Sequence, residues 1–261
     1  MANHVGPQTI SQGDSIAFSC YGIPKNLVIF VHGFNGHPVK TWNGFPQLIQ
    51  QHGAFKDADV IFYGYDSLKT QASNMKLRLF KFIEMAVDPT KMAYATLRNM
   101  PEGFQYNKVV IIAHSLGAVV ARLALLYARA KQASWLKNCQ LLFFAPAHFG
   151  SRIPDNFREC FQGYASLFQS FTVTKYPIIK DLSEGSTILS QLESNVKEIL
   201  QKENAEYLKA KVVWASNDIV VLNNTFCDDF PEDEIDDTSH TSVCKPLPDK
   251  LIALNYVCNC I

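Results

Sequence analysis

Ser115, Asp218 and His240 occur in an order, and in local settings, that suit nucleophilic attack on a carbonyl carbon. A serine hydroxyl is a weak nucleophile until an imidazole takes its proton and a carboxylate holds that imidazole in the right tautomer. Ser115 lies in Ala113-His114-Ser115-Leu116-Gly117. This A-x-S-x-G is one small residue away from G-x-S-x-G, in which the serine projects from a sharp strand-to-helix turn. Small residues on both sides let such a turn close. The pentapeptide alone also suits a plain surface serine between a strand and a helix, so its weight comes from the partners.

Asp218 follows a predicted strand at 210–215, where the acid of such a trio is expected, after the serine and before the histidine. A turn or helix-cap carboxylate is the competing reading, and Asp228 and Asp229 are the alternative acids. His240 is the last histidine of the chain and takes the role of general base by chain order. His32 and His148 flank predicted strand ends and read as pocket-shaping residues, whereas His114 is expected to point away from Ser115. Gly33 and Gly36 allow a tight turn in His32-Gly33-Phe34-Asn35-Gly36, which offers the Phe34 N–H as one arm of an oxyanion hole. Leu116, directly after the serine, offers the other.

The elements that must position these groups alternate between strand and helix. LVIFV (27–31), DVIFYGY (59–65), VVIIA (109–113), CQLLFFA (139–145) and AKVVWA (210–215) are apolar, β-branched or aromatic runs of the kind buried on both faces of a parallel sheet. Two short alternating stretches, around 8–11 and 15–21, read as an opening hairpin or edge strands. Helices are predicted at about 46–52, through the dense apolar set Met75 to Ile83, from Pro89 to about Asn99, after Ser115, and over 186–202. Gly117 is expected to let the helix after Ser115 pack closely on a strand. The order implies a right-handed, mostly parallel sheet with helices on both faces. CDDFPEDEIDD (227–237) carries seven acids and reads as a solvated loop. Between Phe149 and Tyr176, Phe157, Phe161, Tyr164, Phe168 and Phe171 suggest a cap inserted at about 148–185. His32, His148, Phe149, Phe161 and Phe168 are the candidate substrate-pocket residues.

At 261 residues, 48% hydrophobic, the chain suits one α/β domain spanning 1–261. Lys+Arg and Asp+Glu both number 24, which leaves no basic field to attract nucleic acid. No strand leads into a phosphate-binding glycine motif. The seven cysteines are scattered without zinc-site spacing, so neither a metal nor a disulfide scaffold is expected. MANHVGPQTISQGD lacks the basic and apolar regions of a secretory signal, and no apolar run reaches about eighteen residues. A soluble cytoplasmic protein is the expectation.

With these residues assembled, the sequence resembles the α/β-hydrolases of the lipase and serine-esterase type, in particular the GPI-inositol deacylase-like and serine-active-site-containing lipase-like families. The resemblance rests on VHGFNGHPVKTW (31–42), DVIFYGYDS (59–67), IIAHSLGAVVAR (111–122), FFAPAHFGS (143–151), SNDIVV (216–221) and SHTSVCKP (239–246). It implies an α/β-hydrolase fold and a cofactor-free acyl hydrolase acting on esters, often of lipids. Ser115, Asp218 and His240 are then the triad, and Phe34 and Leu116 the oxyanion donors. Ala113 in place of glycine, the helical region 74–100 and the acidic segment depart from the pattern. An ester or lipid substrate is expected, with transient membrane-surface contact through the cap. A thioesterase or acyltransferase would use the same triad. A catalytically silent module that keeps the fold to recognise a lipid or protein is the reading from another class.

Overall fold

In the computed structural model, the described residues are 2–10, 14–88, 91–92, 100–151, 177–247 and 251–261. Their strands form one eight-stranded sheet in the order β1-β2-β4-β3-β5-β6-β7-β8. The strands are β1 (His4–Ile10), β2 (Ser15–Cys20), β3 (Asn26–Val31), β4 (Ala58–Tyr63), β5 (Lys108–His114), β6 (Cys139–Phe144), β7 (Ala210–Asn217) and β8 (Asp233–Ser239). β1 and β2 form an antiparallel pair, β2 is antiparallel to β4, and every other neighbouring pair is parallel.

The central strands are apolar because both of their faces are covered. Leu27 to Val31 in β3 are fully buried, as are Val110 to Ala113 in β5. In β3, the Phe30 ring meets Trp42, Phe45 and Phe62 at centroid distances of 4.9, 5.2 and 4.7 Å. Phe45 belongs to α1 (Phe45–Gln51). The helix that follows Ser115, α3 (Leu116–Ala130), is apolar on nearly every side and sinks into the core. Gly117 is what lets it descend: a Cβ there would lie 2.4 Å from the Val31 carbonyl oxygen.

α2 (Ala72–Ala86) buries Met75, Leu79, Phe82, Ile83 and Ala86 at helical spacing. Its Phe82 packs on Tyr63 of β4 and its Phe80 edge-on to Tyr127 of α3, at 4.6 and 5.0 Å. After β6 the chain reaches Ser151, which bridges antiparallel to Val221. α4 (Pro177–Asp181) and α5 (Thr187–Lys202) follow, and α6 (Ile252–Cys258) packs near the end of the chain. The Ser186 hydroxyl caps α5 by accepting from the Leu189 N–H at 3.4 Å.

Three sequence expectations change or fall outside this description. The first strand begins at His4 rather than near Gln8, and it carries Pro7, which an edge strand tolerates because its outer N–H groups need no partner. The acidic segment is not a solvated loop throughout. Asp233–Ser239 form β8, parallel to β7, with Ile235 and Thr238 turned inward and acids outward. Two inward residues suffice for an edge strand, and outward charges discourage another chain from pairing with it. The predicted helix from Pro89 to Asn99 lies almost wholly outside the described residues, and so do Phe157, Phe161, Tyr164, Phe168 and Phe171.

Candidate active site

Each residue of the Ser-Asp-His set is the first residue past the end of a strand. Ser115 follows β5, Asp218 follows β7 and His240 follows β8. The site therefore lies beyond the carboxyl ends of the parallel strands, where open α/β sheets hold their ligands. The strand that carries His240, β8, is not among those predicted from the sequence, although chain order still singles the histidine out.

Ser115 has φ 53° and ψ −122°. A non-glycine residue is rarely held at such positive φ, and the hydrogen bond from its N–H to the Phe144 carbonyl, 3.0 Å long, helps hold it there. The hydroxyl meets His240 Nε2 at 3.0 Å, and His240 Nδ1 meets Asp218 Oδ2 at 2.9 Å. The carboxylate accepts the Nδ1 proton, which leaves Nε2 to accept from the serine. The other Asp218 oxygen accepts the N–H groups of Val220 and Val221 at 2.8 and 3.1 Å. Burial alone would raise the Asp218 carboxyl. The His240 hydrogen bond and charge, with these two N–H groups, bring it below its ordinary value.

The turn after β3 presses against the elbow. A Cβ on Gly33 would lie 2.9 Å from Ser115 Cβ and 3.1 Å from the His114 carbonyl oxygen, so the turn that leads into Phe34 passes directly against Ser115. Gly36 N–H closes the turn onto the Gly33 carbonyl at 3.1 Å. His32 lies beneath it, fully buried, donating from Nδ1 to the Gly33 carbonyl at 2.9 Å and stacking on Tyr65 at 4.3 Å. The Tyr65 hydroxyl donates to the His32 carbonyl at 2.6 Å. Burial holds His32 neutral, with a pKa near 4. His32 thus shapes the turn from below. Leu116 opens α3 immediately after the serine.

His148 packs among Phe143 and Phe226 at 5.7 and 4.4 Å, and Phe149 sits edge-on to Phe226. Burial, reinforced by the nearby Arg122 charge, pushes the His148 pKa well down. His148 and Phe149 border a cavity of about 240 Å³ shared with Leu189, Leu222 and Asn224. Phe161 and Phe168 lie outside the described residues.

Two placements correct or extend the sequence reading. The carboxylate hydrogen-bonded to His240 is Asp218 and not Asp229. Asp229 forms a buried ion pair with Arg122 of α3 and accepts the Ala210 N–H at 2.8 Å, while the Arg122 guanidinium also donates to the Leu208 carbonyl at 2.7 Å and lies over the Phe226 ring at 4.4 Å. Asp228 is exposed. The sequence did not single out His114 as a site residue: its side chain reaches His240 rather than an unrelated part of the core. Nε2 donates to the His240 backbone carbonyl at 2.7 Å, and the two rings are 4.8 Å apart. Burial first, then the neighbouring His240, lowers its pKa to about 3. Its position next to the serine at a strand end was the available signal.

A proton-accepting imidazole on a hydroxyl, backed by a carboxylate, can generate an alkoxide-like nucleophile. Among the described residues, no group of three or more His, Cys, Asp or Glu is placed to hold a metal ion, and no helix is long and apolar enough to cross a membrane. Residues 23–229 match the family model described as "Putative serine esterase (DUF676)", and the chain belongs to that family. Its fold is that of the α/β-hydrolases. The mature lipase BlEst2 of Bacillus licheniformis aligns with a TM-score of 0.56 at 14% identity, covering 88% of this chain and 92% of that one. The peroxisomal α/β-hydrolase Lpx1 of Saccharomyces cerevisiae gives 0.56 at 11% identity, covering 94% and 81%. The monoacylglycerol lipase of Paleococcus ferrophilus gives 0.50 at 15% identity, covering 95% and 98%. No curated protein matches the sequence significantly.

Proposed function

We propose that this protein is a single-domain serine hydrolase that cleaves carboxylic esters, of lipids or other acyl chains, through an acyl-enzyme on Ser115. The observation that carries the reading is the unbroken hydrogen-bonded line from Ser115 Oγ through His240 to Asp218. Membership of a serine-esterase family and a fold shared with lipases support it.

His240 Nε2 takes the Ser115 proton as Oγ bonds to the ester carbonyl carbon. The carbonyl oxygen becomes an oxyanion, held by the N–H groups of Phe34 and Leu116; such a donor contributes about 3 to 4 kcal/mol in comparable sites. The imidazolium returns its proton to the alkoxide leaving group, and the alcohol departs. Water then attacks the acyl-enzyme, with His240 again taking a proton, and the carboxylic acid is released. Asp218 stays ionised throughout and holds the tautomer. His148 and Phe149 are the residues assigned to the pocket for the acyl part.

A fluorophosphonate probe should label wild type at Ser115, and p-nitrophenyl esters should be hydrolysed. Ser115→Ala should abolish labelling and lower turnover by about six orders of magnitude. Unchanged hydrolysis by Ser115→Ala would sink the proposal, and absence of labelling in wild type would favour a silent binding module.

A further inference from the structure

The opposite end of the sheet carries a second concave feature. A groove of about 500 Å³ is lined by Lys108, Lys137, Lys209 and Lys211, with Tyr207 and Phe230 among its other walls. β5 runs seven residues from Lys108 to His114. At about 3.3 Å per residue, the groove is about 20 Å from Ser115.

The strand register explains how the cations converge. Val110 pairs with Gln140, and Leu142 pairs with Lys211. Side chains alternate along a strand, so Lys108, Gln140 and Lys211 share one face of the adjacent strands β5, β6 and β7. Interior parallel strands are ordinarily apolar on both faces. Here that face turns polar at the starts of the strands, and Lys137 and Lys209 enter from the turns that precede β6 and β7.

The charges do not balance within the groove. Glu206 is its one carboxylate and stands 3.1 Å from Lys209. Among the described residues, Lys108, Lys137 and Lys211 have no ion-pair partner. The chain as a whole is neutral, 24 cations against 24 anions, so this concentration is local. Its potential acts on a thiol of the lining: burial raises the Cys260 pKa, while Lys211 and then Lys108 pull it back. Ammonium groups gathered around a concavity repel one another until an anion with several charges sits among them. Phe230, 40% exposed, provides an apolar edge that such a ligand can cover.

We propose that this groove binds a small anion bearing more than one phosphate, with Lys108, Lys137 and Lys211 as the contacting cations. The site is separate from the hydrolytic one and does not depend on that reading. Two sources share this chemistry, a soluble polyphosphate and a phosphorylated lipid headgroup.

Titration of the full chain with inorganic pyrophosphate, followed by calorimetry, should give saturable one-to-one binding that weakens with salt. Lys108→Glu combined with Lys211→Glu should weaken it at least about tenfold, while fluorophosphonate labelling of Ser115 stays unchanged. Lys137→Glu, outside the strands, should weaken it in the same direction and serves if the double variant does not fold. Sedimentation with phosphatidylcholine vesicles, with and without phosphatidylinositol bisphosphate, separates the sources: retention on the phosphorylated vesicles alone, released by pyrophosphate, assigns the lipid. Binding of pyrophosphate without retention assigns the soluble anion. Failure to bind either probe, or equal affinity in wild type and variants, overturns the proposal.

Discussion

His114 and His240 are joined side chain to main chain: the Nε2–H of the first donates to the carbonyl of the second at 2.7 Å, within the core. The residue before Ser115 thereby fixes the backbone of the residue whose imidazole meets the Ser115 hydroxyl. A base displaced by about 1 Å can cost a hundredfold in rate. His114→Phe, which keeps a ring but loses the donor, should lower kcat about 10- to 100-fold with KM nearly unchanged. His114→Gln carries an amide N–H near the same place and should recover most of the loss. Equal impairment of both variants would show that the hydrogen bond is not what matters.

The two carboxylates considered for the acid role should separate cleanly. Asp218→Asn offers the wrong partner to His240 and should lower kcat about 10⁴-fold while the chain stays folded. Asp229→Asn leaves the buried Arg122 guanidinium without its counter-ion. That should cost about 3 to 5 kcal/mol of stability, with turnover per folded molecule preserved. Denaturant melts paired with active-site titration distinguish the two. The reverse pattern would reassign the acid.

Stability should fall on the acid side of neutrality. Burial lowers the pKa values of His32 and His114 from 6.5 to about 4 and about 3. In that window the unfolded chain binds protons that the folded chain excludes. Stability is therefore fully present above about pH 6.5 and is lost as the pH drops toward the folded values. Each histidine should contribute about 1.4 kcal/mol per pH unit. Urea unfolding at about pH 7.5 and about pH 5.5 measures the slope. A flat profile refutes this, and His114→Gln should remove one histidine's share.

Substrate length is testable in the same assay. The cavity of about 240 Å³ bordered by His148 combines the apolar Phe149, Leu189 and Leu222 with the polar Glu184, Ser190, Glu193 and Asn224, and the apolar side chains are where an acyl chain would lie. In a series from acetate to palmitate, kcat/KM should rise with chain length as more methylene groups leave water, each favoured by about 0.8 kcal/mol when buried. Strict preference for acetyl esters would contradict an acyl-chain pocket.

The elbow was readable in the sequence because its causes are local. Val109 to Ala113 can hardly be anything but a buried strand. Gly117 marks where the following helix must touch another strand, and an added Cβ there would lie 2.6 Å from the His32 carbonyl oxygen. β8 was not readable, because an edge strand needs few inward residues and its acids resemble those of a loop. What stabilises it is the pairing with β7, a partner supplied by the fold. Arg122 and His114 were hidden for a related reason: their partners Asp229 and His240 are 107 and 126 residues away in sequence. A charged or polar side chain in an apolar run announces that a partner exists, and only the folded topology says which.

The position of β8 at the border of the sheet has a consequence for how activity is lost. Among the described residues, it hydrogen-bonds to β7 on one side and to no further strand on the other. His240 is thus mounted on an edge strand, while Ser115 follows a strand at the centre of the sheet. Mild denaturant should extinguish hydrolysis before the β5 amides lose their protection from deuterium exchange, because the Ser115–His240 hydrogen bond can open by fraying alone.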